Sequence, residues 1–151
     1  MSSYPEGIYV LRIDVGEPRE LEIGSLTKRK FSGQYLYVGS ARGAGGLKRV
    51  TRHLEVSSGR NRGEHWHVDY LIEAGAIKET WLIPTEEDLE CKLAEELAKL
   101  FPQPVEGFGA SDCSCASHLF SFEKEKKPEL IRKCDEIISE GKPIRFDWDL
   151  D

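Results

Sequence analysis

The stretch from Tyr35 to Leu54, YLYVGSARGAGGLKRVTRHL, constrains the chain more than any other, because three unlike kinds of local structure must follow one another within it. Tyr35, Leu36, Tyr37 and Val38 are aromatic, apolar or β-branched and predict a strand that stops at Gly39. Ser40 to Gly46, with Gly43, Ala44, Gly45 and Gly46, predicts a turn in which the backbone is free to approach another group. A helix is then expected from near Leu47 to Val56. Leu47, Val50 and Leu54 share one stripe, which assigns Arg49, Arg52 and His53 to other faces, with Arg49 and His53 neighbours one turn apart.

The rest of the chain supplies a frame for that stretch. Gly7 to Ile13 predicts a first strand between Pro5 and Gly16, with Tyr9, Leu11 and Ile13 on one side. Glu20 to Leu26 alternates charged and apolar residues, as a second, half-exposed strand would. These pieces suggest an antiparallel meander. Glu64 to Ala74 predicts a short helix stopped at Gly75, and Ala76 to Ile83 a further strand. Thr85 is expected to cap the next helix, with Asp88 three residues on completing a capping box. In that helix Leu89, Leu93, Leu97 and Leu100 form the core stripe, so Glu90 can face a cleft while Glu95 faces water. Beyond the breaks at Pro102, Pro104, Gly107 and Gly109, His118 to Phe122 predicts a strand, Pro128 to Ser139 a helix, and Pro143 to Trp148 a terminal strand.

With 151 residues, 39% of them hydrophobic, the chain is long enough for one domain with a sizeable core and short for two, so residues 1–151 are expected to form a single domain. The expected class is α+β, with a small, mainly antiparallel sheet of three strands or slightly more, flanked by helices. No apolar run approaches the roughly 20 residues that cross a bilayer, and the N-terminus lacks a basic region followed by an apolar one. A soluble, cytoplasmic protein without a membrane partner is expected. The net charge of −6 argues against a polyanion as partner, but its distribution argues the other way. Between Lys28 and Gly63 the bases are Lys28, Arg29, Lys30, Arg42, Lys48, Arg49, Arg52, Arg60 and Arg62, against the single acid Glu55. A local basic surface can hold phosphates on an acidic protein; a solvated basic face is the alternative.

Gly7-Ile8-Tyr9 on one strand, Tyr37-Val38-Gly39 on another, then Arg49 and His53 in a helix and Glu90 in a later helix resemble the GIY-YIG nuclease superfamily. The resemblance covers a core at about residues 7 to 100 and leaves 101–151 as a C-terminal extension with its own helix. Ser40 and Ala41 after the tripeptide, and the run K-R-V-T-R-H, look especially like the nuclease modules of phage intron homing endonucleases and of the bacterial excision-repair incision subunit. The loop SDCSCASHLF and the segment HWHVDYL resemble a small group of stand-alone prokaryotic proteins in the same superfamily. The spacer from Tyr9 to Tyr37 is longer than the family's usual one, which implies an inserted hairpin or loop from residues 14 to 34.

The resemblance implies a metal-dependent endonuclease that hydrolyses phosphodiester bonds, with DNA favoured over RNA and a repair protein as a possible partner. Glu90 would hold a single Mg²⁺ (or Mn²⁺), which keeps most of its water. Arg49, forked and always charged, would grip the scissile phosphate. Tyr9 or Tyr37 would take a proton from the attacking water, a role that needs a nearby cation to depress the phenol. His53 would assist as acid or base, and Gly39, Ser40, Arg42, Lys48, Arg52, Arg60 and Arg62 would line the nucleic acid. Packing between strands is the competing role for the tyrosines, and Tyr35 is expected to be structural. His65 and His67 are candidates for packing or capping, with a site role open for His67.

Cys113, Cys115 and His118 place three soft ligands in six residues, with Cys91 or Cys134 as a fourth. The spacing fits no common zinc module. A tight loop, a structural zinc site and a reactive thiol all stay open, and with them two other functions: a nucleic-acid-binding module of low turnover, and a thiol or metal protein centred on that loop.

Overall fold

A computed structural model describes residues 5–41, 46–57, 67–109, 117–138 and 141–147. The fold is α+β. In chain order the elements are strands β1 (Gly7–Ile23) and β2 (Thr27–Ala41), helices α1 (Arg49–Ser57) and α2 (His67–Ala74), strand β3 (Ala76–Pro84), helix α3 (Glu90–Ala98), strand β4 (Leu119–Ser121), helix α4 (Lys127–Glu136) and strand β5 (Ile144–Asp147). The strands form one five-stranded sheet in the order β4-β2-β1-β3-β5, and every neighbouring pair is antiparallel. The sheet is slightly larger than three strands, as β4 and β5 of the C-terminal segment add one strand to each edge.

The unbroken apolar run at the start of β1 is explained by two covered faces. Tyr9, Leu11 and Ile13 point into a cluster closed by Val50 and Val56 of α1 and by Val68, Leu71 and Ile72 of α2. Ile8 and Val10 point into a second cluster closed by Leu93 and Leu97 of α3 and by Leu130 and Cys134 of α4. Burial raises the Cys134 thiol to about 12, so it behaves as a small hydrophobe.

Three sequence expectations change here. Glu20 to Ile23 is not a separate strand: β1 runs on through Gly16, where the pairing with β2 shifts register instead of ending. Gly16 has φ +79°, open to glycine at little cost, and its N–H is held by Asp14 Oδ1 at 2.8 Å, so a bulge forms where a turn was expected. The inserted segment is therefore the outer half of a long β1–β2 hairpin. Thr85 does not cap a helix: its Oγ1 accepts the N–H of Glu87, two residues on, at 3.1 Å. That local turn competes with helix, and α3 starts at Glu90 after Leu89. Finally, His53 lies fully buried on the core side of α1, not on another face. Among the described residues, no helix is long and apolar enough to cross a membrane.

The C-terminal helix and strands otherwise follow the pattern read from the sequence, as do α1, β3 and the exposed Glu95. Tyr35 is structural as expected, with its ring edge-on to Phe31 and its hydroxyl accepting the Ser32 N–H at 3.0 Å.

Candidate functional site

Tyr9 lies opposite Gly39 in the β1–β2 register. A Cβ at residue 39 would sit 2.3 Å from Tyr9 Cζ and 2.4 Å from its hydroxyl oxygen, so only glycine lets the ring cross β2. Gly39 thus makes room for a tyrosine rather than for a ligand in this arrangement. The ring is 2% exposed, and its hydroxyl meets His53 Nε2 at 2.8 Å. Tyr37, two residues along β2, is tilted against Tyr9 with ring centroids 6.5 Å apart and is itself backed by Phe108.

Behind His53 stands Asp69, an acid on the apolar side of α2, 1% exposed. Its Oδ1 is 3.7 Å from His53 Nδ1, and Arg52 holds both carboxylate oxygens, Nη1 to Oδ1 at 3.2 Å and Nη2 to Oδ2 at 2.9 Å. Burial lowers the His53 pKa, and Asp69 pulls in the opposite direction without overcoming it, so the imidazole is neutral near pH 7. A neutral ring can accept the Tyr9 proton at Nε2. Burial raises the Tyr9 phenol well above its usual value. Tyr37, Glu90 and Asp69 add to that rise, and Arg49 opposes it. The depressed tyrosine expected from a neighbouring cation is therefore not present: Arg49 acts in the expected direction, and desolvation outweighs it.

The same field links the remaining expected residues. The charge of Arg49, in α1, lowers the Tyr9 pKa and that of Glu90, in α3, raises it. Arg49 is exposed and donates to the Ser40 carbonyl at 2.8 Å, so Ser40 orients the guanidinium. Glu90, in the first turn of α3, has a side chain 20% exposed, with Oε2 3.5 Å from His118 Nδ1. Glu90, Cys91 and His118 each offer a ligand atom, all within 4.8 Å of one another. A half-buried carboxylate beside further donors fits a cation ligand.

The expected phosphate-binding residues divide. Lys48 is exposed beside Arg49. Arg52 is committed to Asp69 and serves the interior. Lys28, Arg29 and Lys30 lie on the outer half of the hairpin, about ten residues and so roughly 30 Å along β2 from Val38. The basic third of the sequence is thus not one surface. Arg42, Arg60, Arg62, Cys113 and Cys115 lie outside the described residues. His67 is an anchor: Nδ1 accepts the Gly109 N–H at 3.0 Å, its ring packs edge-on to Phe108, and burial lowers its pKa.

Asp69 carries no sequence expectation, and its signal is an acid between Val68 and Leu71 on an apolar helix face. Comparison with curated proteins and with solved structures gave no match. The family model described as "Domain of unknown function DUF123" matches residues 8–140, most of the chain and every described site residue, and the chain belongs to that family.

Proposed function

We propose that the protein is a metal-dependent endonuclease of the GIY-YIG type that hydrolyses phosphodiester bonds in nucleic acid, with DNA as the favoured substrate. The observation that carries this reading is the Tyr9–His53 hydrogen bond, with Asp69 behind the imidazole. The resemblance of Gly7-Ile8-Tyr9, Tyr37-Val38-Gly39, Arg49, His53 and Glu90 to that superfamily supports it independently.

A raised phenol pKa excludes a standing phenolate, so the base is a relay. As water attacks phosphorus, Tyr9 oxygen takes the water's proton while its own passes to His53 Nε2, leaving a neutral phenol and an imidazolium that Asp69 stabilises. The P–O bond to the leaving sugar oxygen breaks, and solvent protonates that oxygen. This division of labour follows the general logic of a base oriented by a carboxylate. Arg49 grips the non-bridging oxygens. A divalent cation at Glu90, Mg²⁺ or Mn²⁺ by analogy with the superfamily, would neutralise charge developing on the phosphoryl group.

The burial of Tyr9, at 2% exposed, favours a second reading, a nucleic-acid-binding module of low turnover. Purified protein incubated with nicked, branched and flapped DNA and a divalent cation separates the two. Cleavage lost in Arg49→Ala and Glu90→Ala is the expected outcome. Salt-sensitive binding without cutting would select the binding module, and cleavage that persists in both variants would reject the assignment.

A further inference from the structure

We infer that Glu90, Cys91 and His118 form a binding site for a thiophilic divalent transition ion of the zinc class. The inference stands on three side chains and not on the nuclease reading, and it puts a thiophilic ion in place of the Mg²⁺ or Mn²⁺ that the superfamily analogy assigns to Glu90. Glu90 and Cys91 are the first two residues of α3, so one turn of backbone places both donors at the same end of the helix. His118 arrives from the opposite edge of the site, and its backbone is fixed. Its N–H donates to the Phe108 carbonyl at 2.8 Å and its carbonyl accepts the Val38 N–H at 3.0 Å, while Ser117 Oγ accepts the Leu119 N–H just beyond it at 3.1 Å. The imidazole is 1% exposed, so its placement is determined by packing.

The distances suit one ion. Two ligands at about 2.0–2.2 Å from a tetrahedral centre lie about 3.4 Å apart, and Glu90 Oε2 and His118 Nδ1 are 3.5 Å apart. All three ligand atoms fall within 4.8 Å of one another, close enough to share one ion. One oxygen, one nitrogen and one sulfur donor describe a borderline ion: Mg²⁺ takes oxygen ligands and has no use for a thiolate. Among the described residues the cluster offers three ligands, one fewer than a four-coordinate ion takes. The ion class is thus set by Cys91 and His118 as much as by Glu90.

Cobalt(II) titration of the metal-free full-length protein tests this without any catalytic readout. The wild type should bind a single equivalent, with the visible bands of a four-coordinate site and a thiolate-to-cobalt charge-transfer band. Zinc should displace the cobalt, and excess Mg²⁺ should not. Cys91→Ser should lose the charge-transfer band while circular dichroism stays native, and His118→Ala and Glu90→Gln should each weaken binding by at least the roughly 10–100-fold that even an outer-shell partner is worth. Cys134→Ser, buried in α4 and outside the three-ligand group, should keep the spectrum. A full charge-transfer band in Cys91→Ser, failure of the wild type to bind cobalt, or displacement by Mg²⁺ would each overturn the site. Since no cleavage is measured, failure here leaves the nuclease assignment to its own assay.

Discussion

Glu79 and Asp69 are both buried carboxylates, 0% and 1% exposed, and both sit beside arginine, yet their surroundings differ in kind. Glu79 faces Arg12 across the β1–β3 register, with Arg12 Nε to Oε1 at 2.9 Å, and also meets Lys127 at 3.1 Å and Arg145 through its other oxygen. Its three partners are the long-chain cations Arg12, Lys127 and Arg145. Arg12 is further fixed over the Phe122 ring. Asp69 meets one arginine and one histidine, and that histidine holds a tyrosine hydroxyl. The first cluster stitches β3 to β1, α4 and β5, so its charges serve the fold. The second keeps a neutral, proton-accepting ring inside the core, and a proton can move along it. A buried charge marks chemistry when it supports a titratable group, and structure when it is saturated by fixed cations.

Removing the Glu79 charge should produce the largest loss of stability. Glu79→Gln leaves three cations around a neutral amide, and breaking such a buried pair costs about 3–5 kcal/mol. The lower end is expected, since Arg145 is 40% exposed and can turn to water. Urea unfolding reads this, and cleavage per folded molecule should not change. Were cleavage to fall in proportion beyond the folded fraction, the two clusters would not be separable.

Gly39→Ala attacks the other cluster through shape alone. The added methyl would sit 2.3 Å from the Tyr9 ring, so the ring must move, at a cost of about 1–3 kcal/mol for overpacking. Loss of the Tyr9–His53 contact and of cleavage should accompany it. A variant with unchanged melting and unchanged cleavage would show that Tyr9 does not lie across residue 39.

A smaller effect distinguishes the clusters by pH. His53 has a folded pKa below its unfolded value near 6.5, and so does His67. The unfolded chain therefore binds more protons in mild acid, and their contribution to stability is complete above about pH 6.5 and lost as pH falls through the folded values. His53→Gln should flatten that decline, whereas Glu79→Gln should shift the whole curve down without flattening it. Cleavage should fall on the same acid limb, because a protonated His53 cannot accept from Tyr9. The smallest expected effects are on DNA affinity. Lys48→Ala should lower the salt slope of binding by about one, and Lys28→Ser with Lys30→Ser, on the distal hairpin, should leave it unchanged.

Much of this was legible in residue patterns. Period-two and period-3.6 repeats located the strands and helices around Tyr9, Tyr37 and Arg49, since those repeats arise from burial itself. The ends of elements were not, because they turn on local competition: a bulge at Gly16 continues a strand, and the Thr85 side chain delays a helix. The strand order also escaped, for it depends on long-range pairing of β4 and β5 with opposite edges. In the site, Arg49, His53 and Glu90 were picked out by the family resemblance, while the helical pattern alone put His53 on the wrong face. Asp69 did not stand out, since its role exists only once α2 packs against α1. The positive third of the chain looked like one surface because linear sequence does not report that β2 separates its two ends.

The central claim is that the Tyr9 hydroxyl passes a proton to His53 during phosphodiester cleavage, and Tyr9→Phe tests it by deleting one oxygen while keeping the ring. Cleavage of DNA in the presence of a divalent cation should fall by about 10²–10⁴-fold, the usual worth of a positioned proton acceptor. Stability should fall by only about 1 kcal/mol for the lost hydrogen bond. Cleavage at the wild-type rate in a folded Tyr9→Phe protein would contradict the account.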